Sequence, residues 1–147
     1  MTAAHTDHAS HHNRTSVIDC RGARIRAHTD AGLTVITISG DIDASNVEAL
    51  SCHARGLVPD RGALIVDLAD IDFIGVDGLR ALFALNSDCA RTDTTWALIA
   101  SHPVNRLLRV GDHDTLLPAV GSATEALLRV GRSSRGHRSP RRVGLVG

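Results

Sequence analysis

An α/β fold is what this 147-residue sequence predicts: a mixed β-sheet of about five strands with about four helices packed mostly on one face. Three observations carry that reading. Short β-branched runs alternate with longer runs of helical period. The first two strand-like runs are separated only by a tight turn, as in a hairpin, and every later strand is followed by a helical run. One central run, ALIVD at 63–67, is nearly all apolar, the pattern of a strand covered by its neighbours.

The elements follow in order. ARIRAH (23–28) alternates apolar and polar, a half-exposed strand. Asp30–Gly32 forms a turn, and LTVITIS (33–39) is a β-branched strand with one buried face. In the next stretch Ser45 and Glu48 have capping-box spacing, and Gly56 sits where a helix ends. Val47, Leu50, Ala54 and Leu57 share the face between them. After the central strand, a helix is expected over Asp77–Thr92, with Leu79, Leu82, Phe83, Asn86 and Ala90 in one stripe. TWALIA (95–100) reads as a strand, and PVNRLLRV (103–110) as a helix begun by proline, with Leu107, Leu108 and Val110 on its apolar side. Pro118 demotes Leu116–Val120 to an edge strand. SATEALLRV (122–130) closes the domain as a helix with a second capping box, Ser122 to Glu125. The expected domain is 20–130, between a His-rich tail at 1–19 and an Arg-rich tail at 131–147, both read as disordered.

The net charge is zero, yet residues 17–130 hold 10 arginines against 15 acids, and residues 131–147 hold five arginines and no acid. An acidic domain is poorly suited to a phosphate backbone, so nucleic acid is excluded as its main partner; only the basic tail offers a weak contact. Aromatic residues number three, Phe73, Phe83 and Trp96, too few for a base-stacking platform. All basic residues are arginine, which suggests a GC-rich, bacterial genome. The start MTAAHTDHASHH has no apolar core of a secretory signal, and no apolar run approaches the ~18–20 residues of a membrane span, so a cytoplasmic protein is expected. Cys20, Cys52 and Cys89 lack metal-binding spacing, and His5, His8, His11 and His12 sit in the tail without ordered partners. No cofactor or metal is therefore expected. P-loop, G-x-S-x-G and H-E-x-x-H motifs are all missing, so the sequence predicts no enzyme.

Three stretches resemble the STAS domain, the family of bacterial anti-sigma factor antagonists, over about residues 20–130: ITISGDIDASNVEAL, LIVDLADIDFIGVDGLRAL and TWALIASHPVNRLLRVGDHD. The second is similar to the family's V-D-L-x-x-[VI]-x-[FY]-[IM]-D-S-S-G-L-x-x-L. The resemblance implies non-catalytic binding to an anti-sigma factor, a GHKL-type Ser kinase that phosphorylates the first Ser of D-S-S-G. Here the family's Asp falls on Gly75, the phosphoacceptor Ser on Val76, the second Ser on Asp77 and the Gly on Gly78. The frame is kept and the acceptor is lost. Val76 is neutral, like an unphosphorylated Ser, which is the form that binds in the family. Two outcomes are open: a permanently competent antagonist, or a degenerate module that binds a nucleotide or small ligand or serves as a signalling scaffold.

The candidate partner-binding residues are Asp41, Asp43, Ser45 and Asn46 before the first helix, and Gly75, Val76, Asp77, Gly78 and Arg80 at the elbow. Each has a plain structural reading as well. Asp77 is expected as the N-cap of its helix, or as a fixed negative charge near the phosphate position. Ser45 is expected as an N-cap, with Asp41 and Asp43 either capping or forming an acidic docking face. Cys89 should be buried and inert, whereas Cys52 and Cys20 are candidates for a redox-controlled disulfide. Homodimer formation is left open.

Overall fold

The computed structural model describes residues 13–110 and 116–131. Residues 1–12, 111–115 and 132–147, with the expectations attached to them, lie outside these residues. The chain runs β1 (Asn13–Cys20), β2 (Ala23–Asp30), β3 (Leu33–Ile42), α1 (Val47–Gly56), β4 (Ala63–Leu68), β5 (Ile71–Ile74), α2 (Val76–Arg91), β6 (Thr95–Ala100), α3 (His102–Val110) and β7 (Ala119–Val120). A fourth helix, α4, covers residues 123–131.

The seven strands form one mixed sheet in the order β1-β2-β3-β4-β6-β7, with β5 off this path on β3. Two antiparallel hairpins come first, and all later pairings are parallel. Both hairpins close with two-residue turns whose central residues have positive φ, Arg21 and Gly22 (34° and 95°), then Ala31 and Gly32 (52° and 84°). That geometry matches the right-handed twist of the flanking strands. Strand β3 divides its free edge: residues 33–37 pair with β4 and 40–42 with β5.

The expected strand and helix order holds, with two additions. Strand β1 occupies residues 13–20, most of which were read as tail. Its sequence has few apolar residues because only one strand edge and one face are covered; Val17 stays 51 % exposed. Strand β5 is only four residues long, too short for a periodicity signal. The C-terminal strand shortens to Ala119–Val120 and lies at the sheet edge, as Pro118 implied.

Helices α1, α2 and α3 cover one face. Leu50, Leu82, Leu85, Val104 and Leu108 pack there against Ile36, Leu64, Val66 and Leu98. Each such burial contributes roughly 1.5–3 kcal/mol. On α3 Leu108 is buried and Leu107 packs partly against the core, as the sequence suggested, joined by buried Val104, while Val110 is 80 % exposed and lies off the apolar side. Helix α4 covers part of the other face, placing Ala126 and Val130 on Ile65, Ala97 and Ile99. Ser122 caps it as expected, the Glu125 N–H donating to Ser122 Oγ at 3.2 Å, while the Glu125 carboxylate reaches one residue further back and accepts from the Gly121 N–H at 2.7 Å.

Far from the elbow, α1 and α2 are braced by an ion pair that the sequence hid. Arg55 donates to both carboxylate oxygens of Asp88, at 2.6 and 3.1 Å, and Arg91 donates to the same group. The Asp88 side chain is 9 % exposed. The Arg55 hydrogen bond, against the opposing effect of burial, holds this carboxyl below the usual carboxylate range. A lowered folded value means that the ionised form supplies stability above about pH 4, and that this stability is lost as pH falls through the folded value. Asp88→Asn therefore lowers Tm by several degrees at pH 7, and the difference from the wild type shrinks below about pH 4. Thermal melts across pH check this; a difference that persists unchanged at pH 2.5 would rule the pair out as its cause.

Candidate functional site

The parallel strands β4, β5 and β6 end on one side of the sheet, and the β3–α1 loop and the β5–α2 elbow lie together there. Backbone bonds tie the two: the Gly75 N–H donates to the Ile42 carbonyl at 3.0 Å, and the Gly40 N–H to the Asp70 carbonyl at 3.3 Å. Two glycines permit close packing here, one of β3 on the β1–β2 turn and one at the elbow. Gly40 has φ +97°, and a Cβ there would lie 2.3 Å from the Gly22 carbonyl oxygen. A Cβ on Gly78 would lie 2.6 Å from Ile74 Cγ1, so the glycine lets α2 rest directly on β5.

The loop before α1 is built differently from the expected capping box. Asp43 Oδ1 accepts from the Ser45 N–H at 2.9 Å and from Ser45 Oγ at 2.5 Å. Ser45 spends its hydroxyl on Asp43, and the N-cap position belongs to Asn46, whose side chain makes no cap bond. The Ser45 hydrogen bonds hold the Asp43 carboxyl below its ordinary value. Asp43 thus shapes the loop rather than presenting a free charge. Asn46 is 2 % exposed. Its Nδ2 donates to the carbonyls of Cys20, Arg21 and Asp41 at 3.2, 2.9 and 2.8 Å, and its Oδ1 accepts from the Asp43 N–H at 3.0 Å. This one side chain fastens the β1–β2 turn to the loop and is an internal brace, not a contact residue. Asp41 faces solvent.

At the elbow, Gly75 is the N-cap of α2 with ψ 177°, and Val76 is the first helical residue. Asp77 is therefore not the N-cap; it sits inside the first turn, and no side chain caps this helix. The reason is local: the extended Gly75 already supplies the first turn's acceptor, with the Gly78 N–H bonded to its carbonyl at 2.9 Å. Asp77 pairs loosely with Arg80 at 3.8 Å, both well exposed, an interaction of little energetic weight. Val76 is 61 % exposed.

Sequence reasoning missed Phe73. Alternation would place Phe73 on the same face as buried Ile71. The β3–β5 ladder pairs Gly40 with Ile71 and Asp41 with Phe73, so Asp72 is an extra, bulged residue. The bulge turns Phe73 outward, 52 % exposed, and returns Ile74 to the core. Its ring lies across Gly75, with Cε2 3.8 Å from where a Cβ would stand.

The cysteines are free. Cys52 is exposed, as expected, but Cys20 is buried, which removes the picture of two exposed thiols. Both line a wide cleft of about 640 Å³ with Ser45, Asn46, Glu48 and His53. Burial, aided by the Asp88 carboxylate, pushes the Cys89 thiol up to about 12. A thiol reagent at pH 7.5 accordingly labels Cys52 quickly in the native protein and leaves Cys89 unlabelled until it unfolds, as peptide mapping would reveal; rapid Cys89 labelling would contradict the packing. Between α1 and α2 lies an apolar cavity of about 40 Å³, room for one or two waters and far below the ~300 Å³ of a ligand pocket. Among the described residues, no cluster of three His, Cys, Asp or Glu side chains is placed to hold a metal, and no helix is long and apolar enough to cross a membrane.

Comparison with known proteins agrees with this architecture. The STAS domain family matches residues 24–124. Osmosensory protein A of Mycobacterium tuberculosis is 34 % identical over 116 residues, 76 % of this chain and 73 % of that protein. A crystal structure of an anti-sigma factor antagonist from Mycobacterium paratuberculosis superposes with TM-score 0.63 at 27 % identity, covering 80 % of this chain and 93 % of that one. An anti-sigma factor antagonist STAS domain protein from Planctomyces limnophilus gives TM-score 0.63 at 21 % identity, over 73 % and 97 % of the two chains, a likeness of fold. With the mixed sheet, the glycine-closed elbow and the family match over most of the domain, the chain belongs to the STAS domain family.

Proposed function

We propose that this chain is a non-catalytic anti-sigma factor antagonist: its elbow docks on an anti-sigma factor of the GHKL-type Ser kinase class and frees the sigma factor held there. The proposal adds that the complex is not switched by phosphate at the elbow. The observation that carries it is Val76, which opens α2 and is 61 % exposed beside the β3–α1 loop. Helix first turns accept anionic groups readily, so the position suits a phosphate, yet valine has no hydroxyl to receive one. Support for the partner class comes from the anti-sigma factor antagonist of M. paratuberculosis. The docking residues are Asp41, Gly75, Val76, Asp77 and Arg80, with Asp43, Ser45, Asn46 and Gly78 holding the surface in shape. Osmotic stress is the first condition to examine, given the relative's name.

The test is reconstitution. Purified anti-sigma factor bound to its sigma factor is mixed with the full chain, and released sigma is read by run-off transcription. Stoichiometric release supports the reading. Failure of every GHKL-type anti-sigma factor of the same genome to bind would defeat it.

A further inference from the structure

The elbow combines an aromatic ring and a valine on the surface with carboxylates beside them. Phe73 is 52 % exposed and Val76 is 61 % exposed. Gly75 lies between them, and the Phe73 ring covers it, with Cε2 and Cζ 3.8 and 4.0 Å from the Cβ position. The ring thus packs over the residue next to Val76, and the exposed apolar side chains are concentrated within four residues of chain. The bulge at Asp72 keeps the ring outside, because strict alternation would carry it inward. A bulge that exposes a large apolar side chain gives up core burial, a cost that burial in an interface would offset.

Three carboxylates flank the patch. Asp41 is the cross-strand partner of Phe73, Asp72 precedes it, and Asp77 follows Val76. Asp41 and Asp72 are exposed, and Asp77 has only the loose contact to Arg80 at 3.8 Å. None of the three is used to shape the loop as Asp43 is. Resting on the docking role proposed above, we infer that Phe73, Gly75 and Val76 are the anchor of that interface, and that the partner offers an apolar pocket rimmed by arginine or lysine side chains. Buried aromatic anchors dominate interface energetics, and rim charges mainly set association rate and its salt dependence. The two parts of the patch therefore have separable kinetic signatures.

The experiment is surface plasmon resonance with the full chain against each purified GHKL-type anti-sigma factor of the same genome. Phe73→Ala should weaken the wild-type complex at least about tenfold, almost entirely through faster dissociation, while Phe73→Leu stays within about threefold. The double change Asp41→Asn with Asp72→Asn should slow association and flatten its dependence on salt between about 50 and 300 mM. Equal melting temperatures show that the variants are folded; if Phe73→Ala melts early, Phe73→Gln carries the comparison and should speed dissociation by a similar factor, since the ring is 52 % exposed and a polar side chain is tolerated there. A wild-type complex whose dissociation ignores Phe73, or whose association ignores salt, overturns the inference and leaves the docking role standing. Absence of any wild-type complex overturns both.

Discussion

Gly40→Ala should lower the unfolding free energy by about 3 kcal/mol or more. The backbone at Gly40 has φ +97°, outside the range that alanine adopts readily. The added Cβ would also meet the Gly22 carbonyl oxygen at 2.3 Å, the Ala23 Cα at 3.2 Å and the Gly22 carbonyl carbon at 3.3 Å. All three are backbone atoms of the β1–β2 turn, so no side chain can rotate away. Relief requires the turn and β3 to part. That breaks the Asp41 N–H to Gly22 carbonyl bond of 3.0 Å and strains the cluster around Asn46. Strain alone contributes roughly 1–3 kcal/mol, and the overlap adds to it. Gly56→Ala is the control, because nothing lies within 4 Å of its Cβ position. Urea unfolding should show a large loss for the first variant and a change under about 1 kcal/mol for the second. A loss under about 1 kcal/mol at Gly40 would mean the turn is not packed as described.

Val76→Asp should separate folding from binding. A carboxylate at the first position of α2 meets the positive end of the helix and adds about 0.3–1 kcal/mol of stability. The same carboxylate replaces an exposed apolar group at the proposed docking surface and must be desolvated when the partner closes over it. Affinity for the anti-sigma factor should fall at least about 30-fold, roughly 2 kcal/mol. A melting curve and a titration on the same sample decide the matter. Binding unchanged by this substitution would place the interface elsewhere on the molecule. Lower stability with intact binding would contradict both halves of the argument.

The residues that made the fold legible were those whose burial follows a simple period. The run ALIVD announced β4 because a covered central strand is apolar nearly throughout, and the Leu79–Leu82 stripe announced α2 because a helix packed on a sheet repeats its buried residues every three to four positions. Strand β1 escaped because an edge strand buries little, and NRTSVIDC shows almost no alternation of apolar residues. Phe73 escaped because a single bulged residue inverts the alternation that sequence reading relies on. The caps were misassigned for a shared reason: Ser45 and Asp77 have the right spacing, but nearby groups took over their roles. Asp43 captures the Ser45 hydroxyl, and the Gly75 backbone opens α2 without a side chain. The Arg55–Asp88 brace joins residues 33 apart, a pairing that no local pattern carries. Asn46 was singled out for the right loop with the wrong task, since its four hydrogen bonds point into the protein.

The claim that the elbow docks but is not switched is tested most directly by one titration. The full chain is titrated into its purified anti-sigma factor with and without ATP and Mg²⁺, and the chain is then weighed by intact mass spectrometry. The account predicts equal affinity in both conditions and no added phosphate, because Val76 offers no acceptor at the elbow. Dissociation driven by ATP together with a mass gain of one phosphate would contradict it, and would show that another hydroxyl of this chain has taken over the switch.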